Sequence, residues 1–130
     1  MGANEDLLIA YCQNCSSTND AINLIETQLV DVNINNSEPI RTAVIADCSA
    51  MVQYLINVGS EFKMLNEICL RTAIQNLSYD ISKILLNAGS DPNVSFSENT
   101  NDSAYCISYD VSDNNKTRDL LAPYNLTPLY

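Results

Sequence analysis

One pattern, written twice 30 residues apart, constrains this chain more than any other feature. Glu38-Pro39-Ile40-Arg41-Thr42-Ala43 is answered by Ile68-Cys69-Leu70-Arg71-Thr72-Ala73. Leu55-Ile56-Asn57-Val58-Gly59-Ser60-Glu61 is answered by Leu85-Leu86-Asn87-Ala88-Gly89-Ser90-Asp91. Arg, Thr, Ala, Leu, Asn, Gly and Ser recur in register, and an acid follows Gly-Ser both times. A fixed period of this size marks a solenoid, in which each unit covers the apolar face of the next.

Inside each period the spacing predicts two helices. Pro39 suits the first turn of a helix, where a missing N–H costs nothing. Ile40, Ala43 and Val44 then face neighbours. Asp47-Cys48-Ser49 is a tight link in which Asp47 or Ser49 caps the next helix. Met51, Val52, Leu55 and Ile56 supply its buried stripe. Gly59 is the left-handed stop, a conformation glycine adopts without a Cβ penalty. The next period repeats the scheme with an inner helix over Cys69–Asn76 and an outer one over Asp80–Asn87. There Ile81, Ile84, Leu85 and Leu86 are buried, and Gly89 is the stop.

Two further periods are weaker. Glu5–Cys12 reads as a helix with an apolar stripe of Leu7, Leu8, Ala10 and Tyr11. A polar loop follows from Gln13 to Ser17, about two residues longer than in the core repeats. Thr18 or Asn19 caps a second helix that buries Ile22, Leu24, Ile25 and Leu29. Downstream, Val94 to Asp102 has a turn-forming composition. Leu120 lies 17 residues after Ser103, as Leu55 lies 17 after Glu38 and Leu85 17 after Ile68. That places a fourth repeat at about 103–125, with Asp113 capping its second helix and Pro123 ending it. Lys116 and Arg118 give it a wet outer face, and 124–130 forms a short tail.

These motifs resemble the ankyrin repeat family. Its unit runs Thr-Pro-Leu-His-x-Ala-Ala, a loop, a helix with a Leu run, then Gly-Ala-Asp-x-Asn. Gly89-Ser90-Asp91-Pro92-Asn93 is close to that ending, Asp31-Val32-Asn33 matches Asp-x-Asn, and Pro39-Ile40 with Ala43 matches the opening. Arg41 and Arg71 stand where the family has His, and should bridge to acids or carbonyls of the next repeat. The resemblance implies an all-α fold: an ankyrin-type solenoid of stacked helix-turn-helix repeats with short finger loops. It covers 1–130 as a single domain, with repeats at about 5–33, 34–63, 64–93 and 103–125 and a long finger at 94–102.

The resemblance also implies what such a chain does. Ankyrin proteins hold a partner protein on a concave side made of finger tips and inner helices. On this sequence that surface includes Ile34, Asn35 and Ser37 on the first finger, and Met64, Leu65 and Glu67 on the second. Ile45, Ala46, Gln75 and Asn76 come from the ends of inner helices, and Asp102, Asp110 and Val111 from the fourth repeat. Phe62, Met64 and Leu65 make one short finger apolar, and exposed apolar clusters mark contacts. Small ankyrin proteins include inhibitors of kinases and transcription factors. Compact members from viruses and intracellular bacteria share this size and degeneracy, and abundant Asn suits an AT-rich genome.

Composition narrows the alternatives. The 130 residues are 46% hydrophobic and 17% charged, which suits one folded domain with a modest core. No apolar run approaches a membrane span, and no basic start precedes an apolar segment. The net charge of −10, from 16 acids and 6 bases, argues against binding a phosphate backbone. It favours a partner with a basic patch. The five cysteines are read as reduced: Cys48, Cys69 and Cys106 as small hydrophobes, Cys12 and Cys15 as a lone Cys-x-x-Cys. No second pair completes a zinc site, so neither a metal nor a cofactor is expected. Free cysteines fit a reducing, cytoplasmic compartment.

The chain contains no His, which removes the commonest general base and the usual triad partner. Asp110 and Asp113 are read as solvated acids, and the three glycines form no phosphate cradle. The expectation is a non-catalytic binding module, monomeric or weakly dimeric. Two alternatives belong to other classes. One is a homo-oligomeric scaffold, the other an acidic decoy for a basic nucleic-acid-binding protein.

Overall fold

The computed structural model describes residues 3–92, and every regular element among them is helical. Six α-helices run in order: α1 (Ala3–Cys12), α2 (Thr18–Thr27), α3 (Ile34–Ile45), α4 (Ser49–Asn57), α5 (Met64–Gln75) and α6 (Tyr79–Asn87). A 3-10 turn, Cys15–Ser17, follows α1. None of the described helices is long and apolar enough to cross a membrane. The expected fourth repeat and tail lie outside the described residues. The chain separates into two compact units, residues 1–62 and 63–130.

In the first unit two helix pairs pack in layers: α1 on α2, α3 on α4, with α1 against α3 and α2 against α4. Ile40, Ala43 and Val44 of α3 and Met51, Val52 and Leu55 of α4 are all buried. Their i, i+3, i+4 spacing puts them on one helical face, so burial needs only one partner layer. In the second unit α5 packs on α6. Leu70, Ala73, Ile74, Ile81 and Leu85 are buried there, each 30 positions after its counterpart. Ser82 takes the place of Val52 and is 2% exposed. Its hydroxyl donates to the Ser78 carbonyl at 2.8 Å, which spares a buried polar group.

The helix ends repeat as faithfully as the core. Gly59 and Gly89 have φ of +100° and +114°. Around the first, Gly59 N–H donates to Ile56 O and Ser60 N–H to Leu55 O; Gly89 and Ser90 do the same to Leu86 and Leu85. These paired bonds are Schellman stops. The inner helices end the same way. Asp47 N–H donates to Val44 O and Cys48 N–H to Ala43 O, with Leu77 and Ser78 donating to Ile74 and Ala73. Asp47 and Leu77 therefore hold the left-handed position, at φ 61° and 60°.

Repeat one departs from its expectations. Leu29 occupies the register position of Gly59, and α2 ends instead at an extended Gln28 (φ −126°, ψ 159°). The chain leaves the helix outward there, and Leu29 is 97% exposed rather than buried. On α1 the buried stripe is Leu8 and Cys12, one turn apart, while Leu7 is 41% exposed and Ala10 faces water. Caps differ too. Ser17 precedes α2 and Cys48 precedes α4, neither with a side-chain capping bond.

Cys48 is not a reduced cysteine. It forms a disulfide with Cys15, their Cα atoms 5.1 Å apart. Cys12 and Cys69 are both buried. The cysteine count therefore no longer argues for a reducing compartment.

Candidate partner-binding surface

Both finger turns are built by left-handed backbone. Asn35, Asn36 and Ser37 have φ of 54°, 58° and 60°, and Leu65 and Glu67 have φ of 53° and 62°. Left-handed residues other than glycine each cost on the order of 1 kcal/mol, so something must hold them. Arginine does. Arg41 donates from Nε to Asn36 O at 3.0 Å and from Nη2 to Asn35 O at 2.7 Å. Arg71 donates from Nη2 to Leu65 O at 3.3 Å. Each guanidinium thus reaches back six residues to cap the turn that opens its own helix. For Arg41 these bonds lie within its own repeat rather than bridging to the next one.

Ser37 and Glu67, expected on the contact surface, are 1% and 4% exposed. They are internal latches. Glu67 Oε2 accepts the Asp91 N–H at 2.8 Å, tying the start of α5 to the turn after α6. In the preceding repeat serine is too short for this. Ser37 Oγ donates to Asn33 Oδ1 at 3.0 Å, and Asn33 Oδ1 accepts the Glu61 N–H at 2.7 Å. Glu5 Oε2 makes the corresponding bond to the Asp31 N–H at 2.8 Å. A side chain that holds the backbone from inside cannot also meet a partner.

Glu67 is held at a cost. Among the described residues its Oε1 meets no donor within ordinary hydrogen-bond distance. Burial pushes the Glu67 carboxyl above its ordinary value and the Asp91 charge adds a little to this, while the Asp91 N–H, the Ser90 hydroxyl and the Lys63 ammonium pull the other way.

The other expected residues divide between the units. In the first, Asn35 is exposed but its amide donates to Glu38 Oε1 at 3.0 Å, and Ile34 and Ala46 are half-buried. Ile45 is 68% exposed at the end of α3. In the second, Leu65 is 45% exposed, Met64 is half-buried, and Gln75 and Asn76 face water. Phe62 is half-buried. Asp102, Asp110 and Val111 lie outside the described residues.

Ile45 and Ala46 line an open cleft of about 370 Å³, and Gln13 and Thr42 complete its lining. An apolar floor with an amide and a hydroxyl beside it suits one apolar side chain with its peptide backbone. Gln13 and Thr42 were not anticipated. The signal for Gln13 was the longer loop of repeat one, which carries it toward α3. Among the described residues no group of three or more His, Cys, Asp or Glu side chains could hold a metal ion.

Comparisons with protein-family models, with curated proteins and with solved structures found no match for this chain.

Proposed function

We propose that this chain is an ankyrin-type repeat protein that binds another protein without catalysing a reaction. The observation that carries the reading is Ile45, an apolar side chain 68% exposed on the wall of an open cleft at the end of an inner helix. An isoleucine held in water gains when a partner covers it, by about 25 cal/mol per Å² of apolar surface removed from water. Support also comes from charge. Residues 1–62 carry eight acids against one base, Arg41, and that base is engaged with Asn35 and Asn36. A partner with apolar anchors flanked by Lys or Arg would be both attracted and held.

Affinity capture from lysate, with native protein beside Ile45→Glu and Leu65→Glu variants, tests this. The expected outcome is a partner retained by native protein at moderate salt and lost with Ile45→Glu. Equal capture by native protein and both variants would place binding elsewhere. Capture that collapses with modest salt regardless of variant would favour the acidic decoy. No capture, with a mass that rises with concentration, would favour self-assembly.

A further inference from the structure

The disulfide and the cleft share their walls. Gln13 stands two residues before Cys15, and Ala46 stands two residues before Cys48. Both sulfurs lie close to the Ala46 carbonyl oxygen, at 3.5 Å from Cys15 and 3.7 Å from Cys48. We propose that the Cys15–Cys48 bond is a redox-controlled staple that holds the Gln13 wall of the cleft against the α3–α4 wall.

The turn that carries Cys15 is carried by α1 and α2, and no described N–H or O–H bond ties it to α3 or α4. Its hydrogen bonds are local. Gln13 and Asn14 N–H donate to Ala10 and Tyr11, Ser16 bonds to Asn14 Oδ1, and Ser17 and Thr18 bond back to Asn14 and Cys15. All of these lie within the turn and its flanking residues, so none ties it to α3 or α4, and a released turn is free to open them. The disulfide is the described covalent link that does tie it there.

Access is asymmetric in a way that suits a switch. Cys15 is exposed, whereas Cys48 is 3% exposed. A small dithiol reductant can therefore attack Cys15 Sγ as its thiolate. The Cys15–Cys48 bond breaks, Cys48 leaves as a thiolate and takes a proton from solvent. The reductant's second thiol then displaces Cys15 and closes the reductant's own disulfide. Two electrons pass from the reductant to the protein, leaving two protein thiols. Reduced Cys48 remains as a small buried hydrophobe, so the helices persist while the turn is released. Cys12 does not compete. It is fully buried and its thiol is pushed up to about 12, so it offers no thiolate to reshuffle the bond. The nearby Cys-x-x-Cys is thus not a redox pair; the working pair spans two repeats.

The consequence for a partner rests on the binding reading above, but the staple can be tested without one. Whole protein would be alkylated and digested to find the peptide linking Cys15 to Cys48. Amide hydrogen exchange would then be followed by mass spectrometry with and without a small dithiol. The expected result is exchange over residues 13–17 and 45–48 rising about ten-fold on reduction, with the α3 and α4 cores unchanged. The Cys15→Ser variant should show the raised exchange already and ignore the reductant. Absence of the linked peptide, or unchanged exchange after complete reduction, would overturn the proposal. So would exchange rising throughout residues 3–62, which would make the bond a prop of the fold rather than of the cleft. A chain that loosens on reduction yet captures no protein supports the staple and refutes only the binding reading. One that captures its partner equally in both redox states, through Ile45, and whose exchange over 13–17 is unchanged on reduction, keeps that reading and overturns this one.

Discussion

Single side chains decide how this backbone is held, and Glu67 shows how much one can bear. Its carboxylate closes a latch across the second unit while burial penalises its charge. The folded protein therefore binds the Glu67 proton more tightly than the unfolded chain does. The contribution is full below the ordinary carboxyl value of 4.5 and is lost as pH rises from there through the raised folded value. A Glu67→Gln variant keeps an acceptor for the Asp91 N–H and removes the charge. Urea melts at several pH values should show it more stable than native protein at neutral pH, with the gap closing toward pH 4. A variant less stable at every pH would mean that the charged carboxylate is favoured. Glu67 also shows a limit of reading a sequence. An acid beside an apolar finger looks like a rim residue. Only the left-handed turn at φ 62° aims it inward.

At the scale of the helix, the stops matter as much as the stripes. The same paired bonds close α3, α4, α5 and α6, yet only two of the four left-handed positions are glycine. Asp47 is exposed and holds the position at φ 61° with a Cβ. An Asp47→Gly change should stabilise the first unit by about 0.5–1 kcal/mol, seen as a thermal midpoint several degrees higher. Gly59→Ala should do the reverse by about 1 kcal/mol. A Cβ there meets nothing within 4 Å, so the loss is conformational alone. Equal midpoints for both variants would count against this account of the helix ends. The sequence announced Gly59 and Gly89 plainly, because glycine after an apolar run is a strong signal. It was silent on Asp47 and Leu77, whose side chains carry no mark of the conformation they accept.

Across the whole molecule, charge and periodicity answer different questions. The net charge of −10 bears on encounter rather than on fold. Association of a captured basic partner should slow markedly between low and physiological salt, while its dissociation rate changes little if Ile45 carries the contact. Stopped-flow traces at several salt concentrations would show this, and a salt-sensitive dissociation rate would move the contact to the acids. By itself the sequence determined the helices, their 30-residue recurrence, the glycine stops and the buried faces of α3, α4 and α6, apart from Ile56 and Ile84, which are half-buried. Each of these follows from a local pattern of apolar spacing or from a residue whose backbone freedom is intrinsic. Tertiary structure alone decided that Cys15 meets Cys48, that Gln13 joins Ile45 in a cleft, and that Arg41 and Arg71 turn back on their own fingers. It also placed Ser37 and Glu67 inside and left Leu29 in water. Those outcomes depend on which side chains the folded backbone brings within a few ångströms of each other, and no run of neighbouring residues encodes a distance of that kind.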